Sequence, residues 1–338
     1  MDLAGILEKA ENDERLTREE LLFLLDFPSD AMEVYTIMAR SNRLSKSLSG
    51  HKAEVHAQFA LNIAPCGCDC KFCSFSTLNS VFDKRWEISF DEAVQNAELL
   101  ETNGANAIFV MTTAHYAFGR FLEISGEIRK HLKSETVLIA NVGDQTLENA
   151  VKLKEAGYQG VYHALRLREG TDTNIDPGQR KKSIRHFQEA GLSVGTCVEP
   201  VGPEHSSGEI ADMILFTASF LPAFSGAARR ITIPGSPLES YGMISEMRMA
   251  QIVAVTRLGM PHAVKGNCTH EPCSLGAIAG ANLFWAEMGA NPRDVKENTE
   301  DGRGGTVAHC RKLFEESDWK VLTGPSMFYA GENFTKDI

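Results

Sequence analysis

Between residues 55 and 290 the chain alternates short apolar, β-branched runs with longer stretches of helical period. The runs are "VHAQFALNI", "NAIFVMT", "TVLIANVG", "GVYHALRL", "SVGTCVEPVG", "RRITIPG", "HAVKGNC" and "NLFWAEM". Among the intervening stretches are "DEAVQNAELLETNG", "TLENAVKLKEAG", "QRKKSIRHFQEAG" and "YGMISEMRMAQIVAVTRLG". A short apolar run bounded by turn residues suits a strand buried on both faces, and a helix after it makes a parallel crossover unit. Gly104, Gly157, Gly191 and Gly259 stand where each helical stretch should end in the left-handed conformation. Thr17 with Glu20 and Ser89 with Glu92 have the spacing of capping boxes. Eight such units predict an α/β chain, a (β/α)8 TIM-type barrel with an N-terminal helical cap and a C-terminal extension. An open doubly wound sheet is the alternative the same alternation permits. The expected boundaries are 1–54 for the cap, 55–290 for the barrel and 291–338 for an extension that closes it.

Composition narrows the function. The net charge is −11 and no Lys/Arg-rich run is present, which argues against a large nucleic-acid footprint. It does not exclude an acidic ligand, because a few placed arginines can hold a carboxylate. No apolar run approaches the length of a membrane span. The acidic start, "MDLAGILEKAENDERLTREE", lacks the basic region and apolar core of a secretory signal, so a cytoplasmic protein is expected. In a reducing cytosol the eight cysteines are not expected to form disulfides.

Four of those cysteines fall within "NIAPCGCDCKFCSFS", residues 62–76. Cys66, Cys70 and Cys73 follow the first predicted strand with the spacing C-x3-C-x2-C, and barrels carry their functional residues in such loops. Three thiolates can hold three irons of a [4Fe–4S] cluster and leave the fourth iron open to a non-protein ligand. A structural zinc site is the competing reading, although 66, 68, 70 and 73 are crowded for paired knuckles. A ferredoxin-like carrier would take Cys68 as fourth ligand; otherwise Cys68 is a small residue of the loop.

The spacing, with the aromatic Phe72 before the last cysteine, resembles the radical SAM superfamily. From about residue 55 to 290 the chain is similar to its biotin synthase-like branch. That branch includes biotin synthase, HydE, methylornithine synthase, HmdB-type maturases and two-protein lipoyl synthases. The resemblance implies that the open iron chelates S-adenosylmethionine (SAM). Reduction then yields a 5′-deoxyadenosyl radical that abstracts hydrogen from a small or carrier-bound substrate. It also implies oxygen lability and a low-potential electron donor, flavodoxin or ferredoxin. In "HALRLREGTDTNIDPGQRKKSIRHFQEAGLSVGTCVEPVG", Arg180 matches the arginine that relatives pair with the SAM carboxylate. Arg166, Arg168 and Glu169 are further expected SAM contacts, the two arginines alternating with Leu165 and Leu167 towards the barrel interior. Asn141, Asp144, Glu199 and Glu204 end strands and are candidate pocket residues or helix caps, Lys265 and His270 are further candidates for the substrate pocket, and "IFVMTT" should support SAM through its backbone.

Biotin synthase holds a second, sulfur-donating cluster, but here "IFVMTT" and "VLIANVG" contain no cysteine and Lys265 stands near the place of its arginine. Cys197, Cys268 and Cys273 also lie at strand ends, and are expected to point to one mouth as ligands of an auxiliary iron–sulfur cluster, with His270 or substrate completing it. Otherwise they are a buried small residue and two loop thiols. Cys310 reads as a helix-face cysteine, and the glycines after "GANPRDVKENTED" suggest a mobile loop. The expectation leans to sulfur insertion in cofactor biosynthesis. A single-cluster maturase or rearrangement enzyme is the alternative, and a structural metal protein the third.

Overall fold

The computed structural model describes residues 1–63, 65–82 and 84–329. Nine parallel strands form one sheet: β1 (Lys52–Ala60), β2 (Ala107–Met111), β3 (Val137–Asn141), β4 (Gly160–Tyr162), β5 (Ser193–Gly195), β6 (Val198–Val201), β7 (Phe224–Arg229), β8 (Gly266–Thr269) and β9 (Leu283–Met288). Their order is β5-β4-β3-β2-β1-β9-β8-β7-β6. The two edges, β5 and β6, are consecutive pieces of one chain stretch. Thr196 N–H donates to Phe224 O (3.2 Å) and Ala223 N–H to Val194 O (2.8 Å), so this stretch pairs on both sides and the sheet curls into a TIM-type barrel.

Seven of the eight expected strands overlap the observed ones by two residues or more; the sixth is displaced and shares only Arg229. "RRITIPG" begins where β7 ends, and the strand itself is "FSGAAR". Its small residues hide the usual β-branched signal, and packing explains them. Gly226, at φ +134°, passes so close to Cys268 that a Cβ would run into the Cys268 backbone.

The helices are α1 (Leu3–Glu11), α2 (Arg18–Leu25), α3 (Met32–Leu48), α4 (Phe90–Thr102), α5 (Phe118–His131), α6 (Leu147–Glu155), α7 (Pro177–Glu189), α8 (Ser207–Ser219), α9 (Glu246–Gly259), α10 (Ser274–Ile278) and α11 (Val307–Glu315). Thr17 and Glu20 make the expected capping box, whereas Ser89 accepts the Glu92 N–H without a recorded return bond. Gly104, Gly157 and Gly191 take positive φ as expected, but Gly259 does not. Gly259 is the last residue of α9, where a Cβ would press on Ile214 and Leu21. None of the described helices is long and apolar enough to cross a membrane.

The N-terminal helices lie against the barrel's outer helices rather than over its mouth. Ser41 and Ser45 of α3 donate hydroxyls to Ala279 O (2.8 Å) and Gly280 O (2.7 Å), and Gln251 of α9 donates to Leu24 O (3.0 Å). The segment after β9 runs from one end of the barrel to the other. Residues 291 and 292 bond to the cysteine loop at the C-terminal ends of the strands. Further on, the short strand Lys320–Val321 pairs with the start of β1. Phe328 and Tyr329 then enter a layer of buried aromatic rings with His56, Phe109, Phe224 and Trp285. A Cβ at Gly160 or Gly195 would collide with Tyr329. The barrel floor is therefore a packed plug, which leaves a chamber at the strand C-terminal ends.

Candidate functional site

That chamber encloses about 1110 Å³ of atom-free space, its open mouth included. Cys66, Cys68, Phe72, Cys70 and Cys73 form one wall. The loop that carries them is clamped on both sides. Lys71 N–H donates to Asp172 O (3.0 Å), Asn174 N–H to Cys68 O (2.7 Å) and Ser74 N–H to Pro292 O (2.8 Å). From below, the Asn79 side-chain amide donates to Cys73 O (2.8 Å) and to Cys70 O and Lys71 O (both 3.3 Å). A short chain with four thiols thus keeps a fixed shape by borrowing hydrogen-bond partners from the 171–174 and 291–292 segments.

Each thiol has its own environment. The Cys66 pKa falls to about 5, chiefly because the Cys68 thiol hydrogen-bonds to it. The same interaction and burial push Cys68 upward, while burial raises Cys70 to about 11 and Cys73 further. Cys68 is therefore a hydrogen-bond partner of Cys66 on the chamber wall. Cys66, Cys68 and the exposed His115 bring ligand atoms within 4.8 Å of one another, the geometry a mononuclear metal would need.

Arg180, on the first turn of α7, projects into the chamber while only 4% exposed. Its Nη1 lies 2.9 Å from His163 Nε2 and 3.4 Å from Asp144 Oδ1, and His163 Nε2 is in turn 2.9 Å from Asp144 Oδ1. Burial and the Arg180 charge hold His163 at about 4, so the ring is neutral near neutral pH. Asp144 stays below its ordinary value: burial opposes ionisation, but His163 and Arg180 outweigh it. Arg180 Nε, also buried, has no hydrogen-bond partner among the described residues, its ion-pair neighbour Glu169 Oε2 standing 3.8 Å away. Four thiols on one wall and an unsatisfied guanidinium N–H beside them fit a cluster whose open iron faces a carboxylate-bearing ligand.

Arg166 faces the chamber 3.9 Å from both Glu169 and Glu199. Glu169 is buried behind it, accepting from Thr173 Oγ1 (2.7 Å) and the Arg166 N–H (3.0 Å). Asn141, Glu199 and His270 line the chamber directly, as do residues 111–114. At Gly143 a Cβ would strike the Ala114 backbone, so the two strand-end loops can approach only without a side chain there.

Three expectations fail. Arg168 turns away from the chamber: at φ +56° it ion-pairs with Glu209 (2.6 Å), because the strand has ended at Tyr162 and its alternation no longer applies. Lys265 is exposed at the start of β8, the opposite end from the chamber. Cys197, Cys268 and Cys273 do not converge on the mouth. Cys273 caps α10, its Sγ accepting the Gly276 N–H (3.4 Å). Cys197 and Cys268 are fully buried among the core aromatics, where burial drives the Cys197 pKa well up. They do lie with His270 in a group whose ligand atoms are within 4.8 Å. Glu204 is spent on Arg230, with contacts of 2.7 and 3.0 Å. Cys310 sits on the inner face of α11, as expected.

Residues that sequence reasoning missed complete the site. His163 positions Arg180; Asn79 holds the cysteine loop; Arg229, Arg230 and Arg293 line the wall beyond His270. Arg230 stands inside the mis-registered sixth run, and Asn79 has no motif to mark it.

No family model matches the chain. Among curated proteins it is 28% identical over 252 residues to the biotin synthase of Ehrlichia canis (strain Jake), covering 69% of this chain and 77% of that one. It is 27% identical over 293 residues to the biotin synthase of Hydrogenobaculum sp. (strain Y04AAS1), covering 82% and 86%. Among solved structures, methylornithine synthase (PylB) superposes with a TM-score of 0.78 at 15% identity, over 96% of this chain and 98% of that one. The FeFe-hydrogenase maturase HydG from Carboxydothermus hydrogenoformans gives 0.77 at 17% identity, over 97% and 80%.

Proposed function

We propose that this chain, which belongs to the biotin synthase-like branch of the radical SAM superfamily, is a single-cluster radical SAM enzyme of the maturase or rearrangement type. The observation that carries this reading is that the chamber-facing thiols, among the described residues, are those of one loop, while Cys197, Cys268 and Cys273 do not open onto it. Cys66, Cys70 and Cys73 would hold a [4Fe–4S] cluster. With SAM bound to it and an electron from a low-potential donor, flavodoxin or ferredoxin, the cluster supplies a hydrogen-abstracting carbon radical.

The chain's own groups do the positioning. Arg180, fixed by His163 and Asp144, offers Nε to the SAM carboxylate. Arg166, braced between Glu169 and Glu199, borders the same ligand, as do Asn141 and residues 111–114. Glu169 braces Arg166 from behind, and Asp144 acts through Arg180. The plugged floor keeps water out from below, which protects a radical from quenching.

A second reading, sulfur insertion with an auxiliary cluster, is supported by one observation: buried Cys197 and Cys268 bring their ligand atoms within 4.8 Å of His270, which itself lines the chamber. Iron content separates the two, about four irons per chain for one [4Fe–4S] cluster against more for two.

The test is anaerobic reconstitution followed by reduction with SAM present. Methionine and 5′-deoxyadenosine are expected from the wild type and from none of the Cys66→Ala, Cys70→Ala or Cys73→Ala variants. Arg180→Gln should weaken SAM binding by roughly ten- to a hundredfold, the worth of a charge-assisted hydrogen bond. A chain that takes up zinc in place of iron, or cleaves no SAM when loaded, would overturn the reading in favour of a structural metal.

A further inference from the structure

We infer that the substrate carries a carboxylate, and that Arg293, on the chamber wall opposite Arg180, anchors it. The inference rests on the reading of the chamber as the active site of a radical SAM enzyme and adds the chemical class of its substrate.

Five arginines line the chamber: Arg166, Arg180, Arg229, Arg230 and Arg293. Four have carboxylates beside them. Arg229 is 2.6 Å from Glu271, Arg230 is 2.7 Å from Glu204, Arg180 is 3.4 Å from Asp144, and Arg166 is 3.9 Å from Glu169 and Glu199. Arg293 has no carboxylate within 4.0 Å among the described residues, the distance at which ion pairs are recognised. Its Nη2 donates to Arg229 O (3.1 Å), while Nη1 is buried without any partner. A buried guanidinium N–H left unpaired is costly, and the chamber is the open space beside it.

The root of the side chain is fixed. Arg293 N–H donates to Asn291 Oδ1 (2.9 Å), and the preceding Pro292 O accepts the Ser74 N–H of the cysteine loop. Arg293 follows β9 and Arg180 follows β4, with β3, β2 and β1 between them one way round the barrel and β5 to β8 the other. The two guanidinium groups therefore stand across the chamber from each other. One serves the SAM side, and the other is available to a second ligand. The neighbouring Arg229 and Arg230 are ion-paired with Glu271 and Glu204, and Arg303 shares Glu271, so Arg293 is the guanidinium of this wall that has no carboxylate partner among the described residues. That matches a monoanionic carboxylate, whose two oxygens suit a guanidinium fork, better than a phosphate dianion.

The test uses cluster-loaded protein with SAM in excess, so that Arg180 is engaged, and calorimetric titration with hexanoate, hexanamide and inorganic phosphate. Wild type is expected to bind hexanoate about tenfold or more tightly than either other probe, as a charge-assisted contact should give. Arg293→Gln should lower hexanoate affinity to the hexanamide level, Arg293→Lys should recover part of it, and Arg180→Gln should leave it within about twofold. The lysine variant and the thermal midpoints guard against simple misfolding. Equal binding by wild type and Arg293→Gln would overturn the inference. So would dependence on Arg180 instead, a preference for phosphate, or no hexanoate binding by the wild type. SAM cleavage measured on the same samples separates the two readings. Cleavage without Arg293-dependent hexanoate binding sinks the carboxylate anchor alone. The converse result sinks the radical SAM reading and leaves the anchor standing.

Discussion

Cys68 is the residue whose role the sequence leaves most open. Within the loop it hydrogen-bonds to Cys66 and packs on the chamber wall, which supports the proposal that it assists a ligand rather than being one. Cys68→Ala is accordingly expected to keep about four irons per chain, where Cys66→Ala loses them; iron and sulfide analysis decides it. If Cys68→Ala lost iron as fully as Cys66→Ala, the ligand set would have to be redrawn. His163 makes a second, pH-dependent prediction. Its folded pKa of about 4 lies below the ordinary 6.5. Between those values the unfolded chain binds a proton that the folded chain does not. This contribution to stability is therefore complete above about pH 6.5 and is lost as the pH falls towards 4, with a slope of up to about 1.4 kcal/mol per pH unit. Urea unfolding at pH 4.5, 5.5 and 7 should show the wild-type profile steeper than that of His163→Gln, and parallel profiles would refute it. Of these residues, the cysteines were legible because their spacing is itself the signal. His163 was not, because its role depends on meeting Asp144 and Arg180 from other elements.

Among the elements, α9 shows how a buried charge can be structural. Arg257 is fully buried, and burial alone lowers its pKa to about 10. Its guanidinium donates to the Val264, Met260 and Pro261 carbonyls, holding the loop that leads from α9 into β8. Arg257→Leu is expected to cost about 3 kcal/mol, since carbonyls are left unpaired in the core; the urea midpoint should drop with an unchanged slope. A midpoint within error of the wild type would show that water satisfies those carbonyls instead. The same scale explains what the alternation conveyed. Strands dense in branched residues, such as β2 and β3, were found in place, and helix stops at Gly104, Gly157 and Gly191 were read correctly. β7 was displaced because Gly226 and its small neighbours answer to the closeness of β8, a demand made by tertiary packing and invisible to local pattern. Arg168 failed for the related reason that a strand ended sooner than its alternation did.

Across the whole molecule, the segment beyond residue 290 ties the two ends of the barrel together. At the top Pro292 holds the cysteine loop; at the bottom Phe328 and Tyr329 fill the floor. The sequence placed this extension as a lid, and the half of it that forms the floor was not legible, because aromatic residues near 328 carry no address for the space they fill. Replacing both Phe328 and Tyr329 by alanine is expected to cost about 3 kcal/mol or more, from lost burial and the cavity left behind. SAM affinity should stay within about twofold, because the chamber lies at the other end of the barrel. Calorimetric unfolding and SAM titration on one preparation would check both, and a loss of SAM binding without a loss of stability would contradict the placement.

The plug also sets the order of events during synthesis. The cysteine loop leaves the ribosome some 250 residues before Phe328 and Tyr329, on the order of ten to fifty seconds earlier at ordinary translation rates. For most of that interval, until residues 283–288 are made, β1 lacks the neighbour that β9 will provide, and the barrel floor stays unfilled until residues 328 and 329 follow. The four thiols of the cysteine loop are thus made well before the residues that complete the barrel beside and beneath them.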